Sequence, residues 1–166
     1  MSFESDVRRG PQMAWSNTKV PRFAEGPSDA DIMLVGQNPG KEEVKQGRPF
    51  VGRSGQYLNK VLQRNGIDRN TLYITAAVKE PTPGNRKPRA DEINCWMPVL
   101  LDEIKRINPR IIVLMGRVAW RVPRFAGIEY METYHPAAAM RFPKARKRFE
   151  ADMRKLKSTI REKGLD

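Results

Sequence analysis

Apolar residues follow two alternating rhythms along the chain, short unbroken runs and longer stretches at helical spacing. The run from Asp31 to Val35 stops at Gly36-Gln37-Asn38-Pro39-Gly40, which predicts a buried strand feeding a turn. Ser54 to Asn65 places Tyr57, Leu58, Val61 and Leu62 on one helical face, with Ser54 as the expected N-cap and Gly66 just past the end. Leu72 to Val78 is rich in β-formers and breaks at Pro81-Thr82-Pro83-Gly84-Asn85-Arg86. Asp91 to Ile107 again has helical spacing, at Ile93, Met97, Leu100, Leu101 and Ile104, and Pro98 is expected to kink or interrupt it. Ile111 to Met115 is the clearest strand and ends at Gly116, before a short helix through Val122. A weaker fourth strand, Ile128 to Glu132, leads to a loop of sequence Tyr134-His135-Pro136-Ala137-Ala138-Ala139-Met140, then to a basic helix from Lys144 to Lys163. Residues 1–30, rich in Pro, Gly and polar side chains, are expected to wrap the surface of a compact region that starts near Asp31.

Strands that alternate with helices predict an α/β fold, a three-layer αβα sandwich around a central, mainly parallel four-stranded sheet. The chain has 166 residues, which suits one domain. Ligands of such sheets bind outside the carboxyl ends of the strands. The GQNPG, PTPGNR and YHPAAAMR loops each follow a strand, so topology brings them to one edge.

Charge narrows the partners. Thirty-one Lys and Arg against nineteen Asp and Glu give a net charge of +12, which favours nucleic acid first and an acidic membrane surface second. No window approaches the roughly 18 continuous apolar residues of a membrane span, and no apolar signal region opens the chain, so a cytoplasmic, nucleoid-associated protein is expected. Between Arg141 and Lys163 lie ten basic residues and three acidic ones, a run that is either a solvated helix face or a phosphate contact. One cysteine, Cys95, and one histidine, His135, argue against a structural zinc site, an iron–sulfur cluster or any metal. No G-x-G-x-x-G or GxxxxGK(S/T) loop supports a nucleotide-binding α/β protein, and no G-x-S-x-G elbow supports serine chemistry. A monomer is the default expectation.

Several loop residues have both a chemical and a local reading. Asn38, in a constrained turn, either satisfies its own backbone or orients a water, and Gln37, Pro39 and Gly40 share that ambiguity. Phe50, between Pro49 and Val51-Gly52, is either core or one wall of a flat pocket. Asn85 is either a turn residue or a donor–acceptor pair for a base edge. His135 is incidental, or donates a hydrogen bond to an oxygen that gains charge. Met140 and Phe142 flank Arg141, as a wedge into duplex DNA requires.

The segments GQNPG, GRPFVGRSGQYLNKVL, TAAVKEPTPGNRKP and YHPAAAMR, in this order between Asp31 and Leu156, resemble the uracil-DNA glycosylase superfamily, and family four above all. That family usually carries four cysteines on an iron–sulfur cluster. Here Cys95 alone stands at one such position and Glu80 at another, so no cluster is expected. Gln37 and Asn38 replace the family-four Glu and Ala/Gly. The resemblance implies a monofunctional enzyme of base excision repair that flips a damaged nucleotide out of DNA and hydrolyses its N-glycosidic bond. By position, Asn38 would orient the attacking water and His135 would stabilise the leaving base. Gly36, Gln37, Pro39 and Gly40 would line the base pocket, with Phe50 stacking on the base and Asn85 reading its edge. Arg53, Ser54, Arg86 and Lys144 would hold DNA, and Met140 and Arg141 would fill the vacated gap. In the archetypal enzymes a Tyr at the place of Gly40 excludes thymine's methyl, so its absence leaves room for hypoxanthine, xanthine, 5-hydroxymethyluracil or mismatched thymine. A superfamily member that binds DNA with weak or no catalysis is the alternative.

Overall fold

The computed structural model describes residues 24–166; the expected wrap of the N-terminal segment lies outside the described residues as far as residue 23. Four strands form one sheet: β1 (Ile32–Gly36), β2 (Tyr73–Ala76), β3 (Ile111–Met115) and β4 (Glu129–Thr133). Their order is β2-β1-β3-β4, and every pair is parallel, with Leu34 opposite both Ile74 and Val113. An isolated antiparallel bridge joins Glu25 to Ile74 at the β2 edge.

Each strand is an unbroken apolar run because helices cover both faces of the sheet. Alternate side chains then sort into two cores. Met33, Val35, Ile112 and Leu114 pack under α3 (Ala90–Ile107), against Ile93, Trp96, Leu100 and Ile104. Ile32, Leu34, Ile74, Val113 and Met115 face α2 (Arg53–Arg64) and α5 (Pro143–Glu162), against Leu58, Val61, Leu62, Phe149, Met153 and Leu156. Tyr57 of α2 donates a 2.8 Å hydrogen bond to Glu150 of α5 and ties that layer together.

Three expectations require correction, and one helix was not expected. The N-cap of α2 is Gly52, and Ser54 sits inside the first turn. Pro98 does not interrupt the α3 helix, because Pro98 and Asn94 are both exposed and water can solvate the carbonyl that the proline leaves without a donor. The loop after β4 is instead a short helix, α4 (Pro136–Arg141), started by Pro136 at its first position and capped by His135. A further short helix, α1 (Lys41–Gln46), has no apolar stripe and buries no residue, so no periodicity announced it.

Candidate active site

The carboxyl ends of β1 and β2, together with the start of α4, enclose a cavity of about 220 Å³. Backbone hydrogen bonds continue past the end of β1: Ala77 donates to Gly36 O and Val78 to Gln37 O, each at 3.0 Å. The first loop therefore stands on an extended ladder. Asn38 Nδ2 donates to Glu80 O at 3.2 Å and to Thr82 Oγ1 at 3.4 Å, while its Oδ1 accepts from Gln37 Nε2 at 3.2 Å. The amide nitrogen has two acceptors within the protein, and Oδ1, which accepts from Gln37, keeps a second lone pair on a residue that lines the cavity.

Phe50 is seated by its neighbours. Its φ of 50° is left-handed, a strained setting for a bulky residue. A Cβ at Gly36 would come within 2.6 Å of the Phe50 ring, and one at Gly55 within 2.0 Å of the Phe50 carbonyl oxygen. Both positions require glycine. Arg69 clamps the backbone by donating to Phe50 O at 2.9 Å and Pro49 O at 2.6 Å. Its Nε donates to Glu25 at 3.2 Å, and Glu25 also accepts from Arg48.

Glu43 of α1 is the pocket residue whose role the sequence reading missed. Its Oε1 accepts from Gly40 N at 3.0 Å, and its Oε2 accepts from Val51 N at 2.9 Å and Gly52 N at 2.7 Å. One carboxylate thus staples the first loop to the Phe50 loop. The signal was available as a Gly-x-x-Glu capping pattern at Gly40 and Glu43. Thr82 was missed in the same way. It is buried, accepts from Asn38, donates to Arg86 O, and takes the Asn85 N–H on its carbonyl at 3.1 Å. It links the loops that carry the two asparagines.

His135 closes the other side, its ring centroid 5.5 Å from that of Phe50. Its Nδ1 accepts from Ala137 N at 3.0 Å. That bond requires an unprotonated Nδ1, so the neutral ring carries its hydrogen on Nε2 and offers a donor. Burial lowers its pKa to about 4 against the opposing charge of Glu43, so the ring is neutral at physiological pH.

Of the residues expected at the site, Gln37, Asn38, Pro39, Gly40, Phe50, Asn85 and His135 line this one cavity. Ser54, expected to contact DNA, lines the same cavity from the first turn of α2. Gly36 forms no wall; it lies beneath the Phe50 ring. Arg86 is held by Glu92 through contacts of 2.8 and 3.1 Å, and this pairing keeps the Glu92 carboxyl down at about 2. Arg53, Arg141 and Lys144 are exposed, whereas Met140 is half-buried and its carbonyl accepts from Arg146. Phe142 is the most exposed large apolar side chain among the described residues, at 55%. The basic helix spans about 30 Å and runs away from the site. Near its far end Lys163 pairs with Glu129, the first residue of β4.

The family model for the uracil DNA glycosylase superfamily matches residues 23–157. The chain is 37% identical over 152 residues to a type-4 uracil-DNA glycosylase of Pyrobaculum aerophilum, covering 78% of each chain. It is 34% identical over 176 residues to the type-4 enzyme of Saccharolobus solfataricus, covering 91% of this chain and 81% of the relative. It is 36% identical over 157 residues to that of Sulfurisphaera tokodaii, covering 80% of this chain and 71% of the relative. With a four-stranded parallel sheet between two helical layers and a match over most of its length, this chain belongs to the uracil-DNA glycosylase superfamily.

Proposed function

We propose that the chain is a monofunctional glycosylase that removes uracil from DNA by hydrolysing its N-glycosidic bond. The observation that carries this reading is the single cavity lined by Asn38, Phe50, Asn85 and His135, with space for a flipped base. Phe50 stacks on the base, and the Asn85 amide reads its edge through one donor and one acceptor. As the C1′–N1 bond breaks, its electron pair goes to uracil and the sugar takes on oxocarbenium character. The His135 Nε2–H donates to the oxygen that gains this charge, where a preorganised donor contributes on the order of 10²–10³ in rate. Asn38 Oδ1 accepts from the attacking water, whose oxygen bonds to C1′ and whose proton is released. An amide does not take up that proton near neutral pH, so the path is dissociative, and the step requires no covalent enzyme intermediate. Glu43 receives three backbone N–H donors, which suits a loop staple rather than a base.

The family's iron–sulfur cluster does not fit these residues. Such clusters take four thiolates, and the chain has one cysteine. The Cys95 thiol is moreover raised by burial first and then by the charges of Glu80 and Asp91, which disfavours the thiolate that would bind iron. Among the described residues no group of three His, Cys, Asp or Glu is placed to hold a metal. We therefore assign no cofactor. No helix among the described residues is long and apolar enough to cross a membrane. We further propose that the chain acts on DNA as a monomer in the cytoplasm, beside the nucleoid.

The test is alkali-revealed strand cleavage of end-labelled oligonucleotides that carry one U, hypoxanthine, xanthine or T. Product from U, reduced about 10²–10³-fold in His135→Ala and severely in Asn38→Ala, supports the assignment. No product from any base, with salt-sensitive DNA binding intact, would establish the non-catalytic DNA-binding reading instead.

A further inference from the structure

A second cavity, of about 480 Å³, adjoins the base pocket and shares Gln37 and His135 with it as a common wall. We infer that it holds the base next to uracil on the same DNA strand, stacked against Tyr134 and Phe142, with the strand's phosphates against Lys87, Arg117 and Lys144. This rests on the glycosylase reading above and extends it to a second nucleotide.

Three observations carry the inference. Among the described residues only Val44, Tyr134 and Phe142 are exposed large apolar side chains, and two of these three border this groove. Exposed aromatic faces beside cations are the surface that single-stranded nucleic acid requires, because every base has a π-face and every linkage a charge. No acidic residue lines the groove, and three basic ones do, so its charge complements a phosphodiester strand. Its size suits a nucleotide.

The Phe142 ring also stands on fixed backbone. Its N–H donates to Ala138 O and its carbonyl accepts from Arg146 N, both at 2.9 Å, in the single-residue joint between α4 and α5. The Arg141 guanidinium lies 5.6 Å from the ring centroid and leans on it. Continuity then decides which base arrives. The nucleotide delivered to the pocket is covalently tied to its neighbour, whereas the base opposite uracil belongs to the other strand and needs no place beside His135.

The experiment is a protein–DNA cycle. Kd is measured for single-stranded oligonucleotides carrying a non-cleavable 2′-fluoro uracil nucleotide, with the adjacent base present or replaced by an abasic spacer on the 5′ or the 3′ side. Uracil excision from the ordinary nucleotide is followed in parallel. For the wild type, one of the two spacers is expected to weaken binding about tenfold or more. The Tyr134→Ala/Phe142→Ala variant should lose a similar factor on the intact oligonucleotide and lose nothing further on the spacer. Both side chains are exposed, so an unchanged melting curve controls for folding. Arg117→Ala should lower the salt dependence of binding by about one phosphate contact. Losses that simply multiply between variant and spacer would overturn the subsite. So would a wild type indifferent to both same-strand spacers but sensitive, in duplex, to one opposite uracil. Absence of excision by the wild type would count against the glycosylase reading alone, since the binding cycle is scored without cleavage.

Discussion

His135 shows how one side chain's protonation follows from its local bonds. Its Nδ1 caps α4, and burial holds its pKa near 4, well below the ordinary imidazole value. The excision rate should therefore show no acid limb at pH 6–7 from this residue, and any limb it causes should lie near pH 4. The sign for stability is the same. Between the ordinary value and about 4 the unfolded chain binds a proton that the folded chain refuses, so stability falls as the pH drops through that window. Single-turnover rates and denaturant midpoints from pH 4 to 8 would check both, and a rate titrating near 6.5 that persists unchanged in His135→Gln would assign the limb elsewhere. Thr82 acts through other residues. Thr82→Val keeps the shape but removes the oxygen that accepts from Asn38 and donates to Arg86 O. A fall in kcat of about tenfold with KM little changed is expected, since misorientation by even an ångström or so is costly; a change in KM alone would contradict this role. Asn38, Phe50, Asn85 and His135 were legible in the sequence because each sits in a Gly/Pro-constrained loop or beside a proline. Thr82 and Arg69 were not legible, because their work is to hold other loops and depends on contacts up to 44 positions away, whereas Glu43 left only the local Gly-x-x-Glu pattern at Gly40.

At the scale of elements, β2 continues directly into a buried charge pair. Lys79 and Glu103 are fully buried with a 2.6 Å contact, and Glu103 also accepts from Tyr73 OH at 2.6 Å and from Thr75 at 3.0 Å. Lys79 further donates to Ala76 O at the end of β2. Burial draws the ammonium below the usual lysine range, and Glu103 opposes that shift. The pair fastens α3 to the strand end from which Glu80 presents its carbonyl to Asn38. Lys79→Met or Glu103→Gln alone is expected to cost about 3–5 kcal/mol, because each strands a buried charge or its partners. Lys79→Met combined with Glu103→Gln should recover much of that loss in denaturant unfolding, since the Gln oxygen can still accept from Tyr73 and Thr75; additive losses would mean that the two residues act independently. The strands and long helices were legible from periodicity, to within a residue or two at most ends. The α1 and α4 helices were not. One buries nothing, and the other is six residues long and set by Pro136 and a histidine cap.

The chain carries a net charge of +12, and the basic residues of α5 lie at very different distances from the site. Lys144 opens α5 beside the site, and Arg161 lies 17 residues further along the same helix, about 25 Å away. That separation exceeds the Debye length of about 8–10 Å at physiological salt. Lys144→Ala should therefore weaken DNA binding and flatten its salt dependence, whereas Arg161→Ala should change either very little; equal effects, read by anisotropy across a salt series, would place DNA along the entire helix. The alternation of strands and helices, the two-faced burial of the sheet, the convergence of three loops on one edge and the preference for a polyanionic partner were legible in the chain alone. These follow from local propensity, apolar period, connection rules and composition, all of which are written along the chain. Packing in three dimensions sets the rest: Ser54 lines the cavity, Arg86 is occupied by Glu92, most of the basic helix leaves the site, and Tyr134 and Phe142 border one groove. Each of these depends on which distant residue arrives within about 3–4 Å, and at that range hydrogen bonds, ion pairs and close packing act.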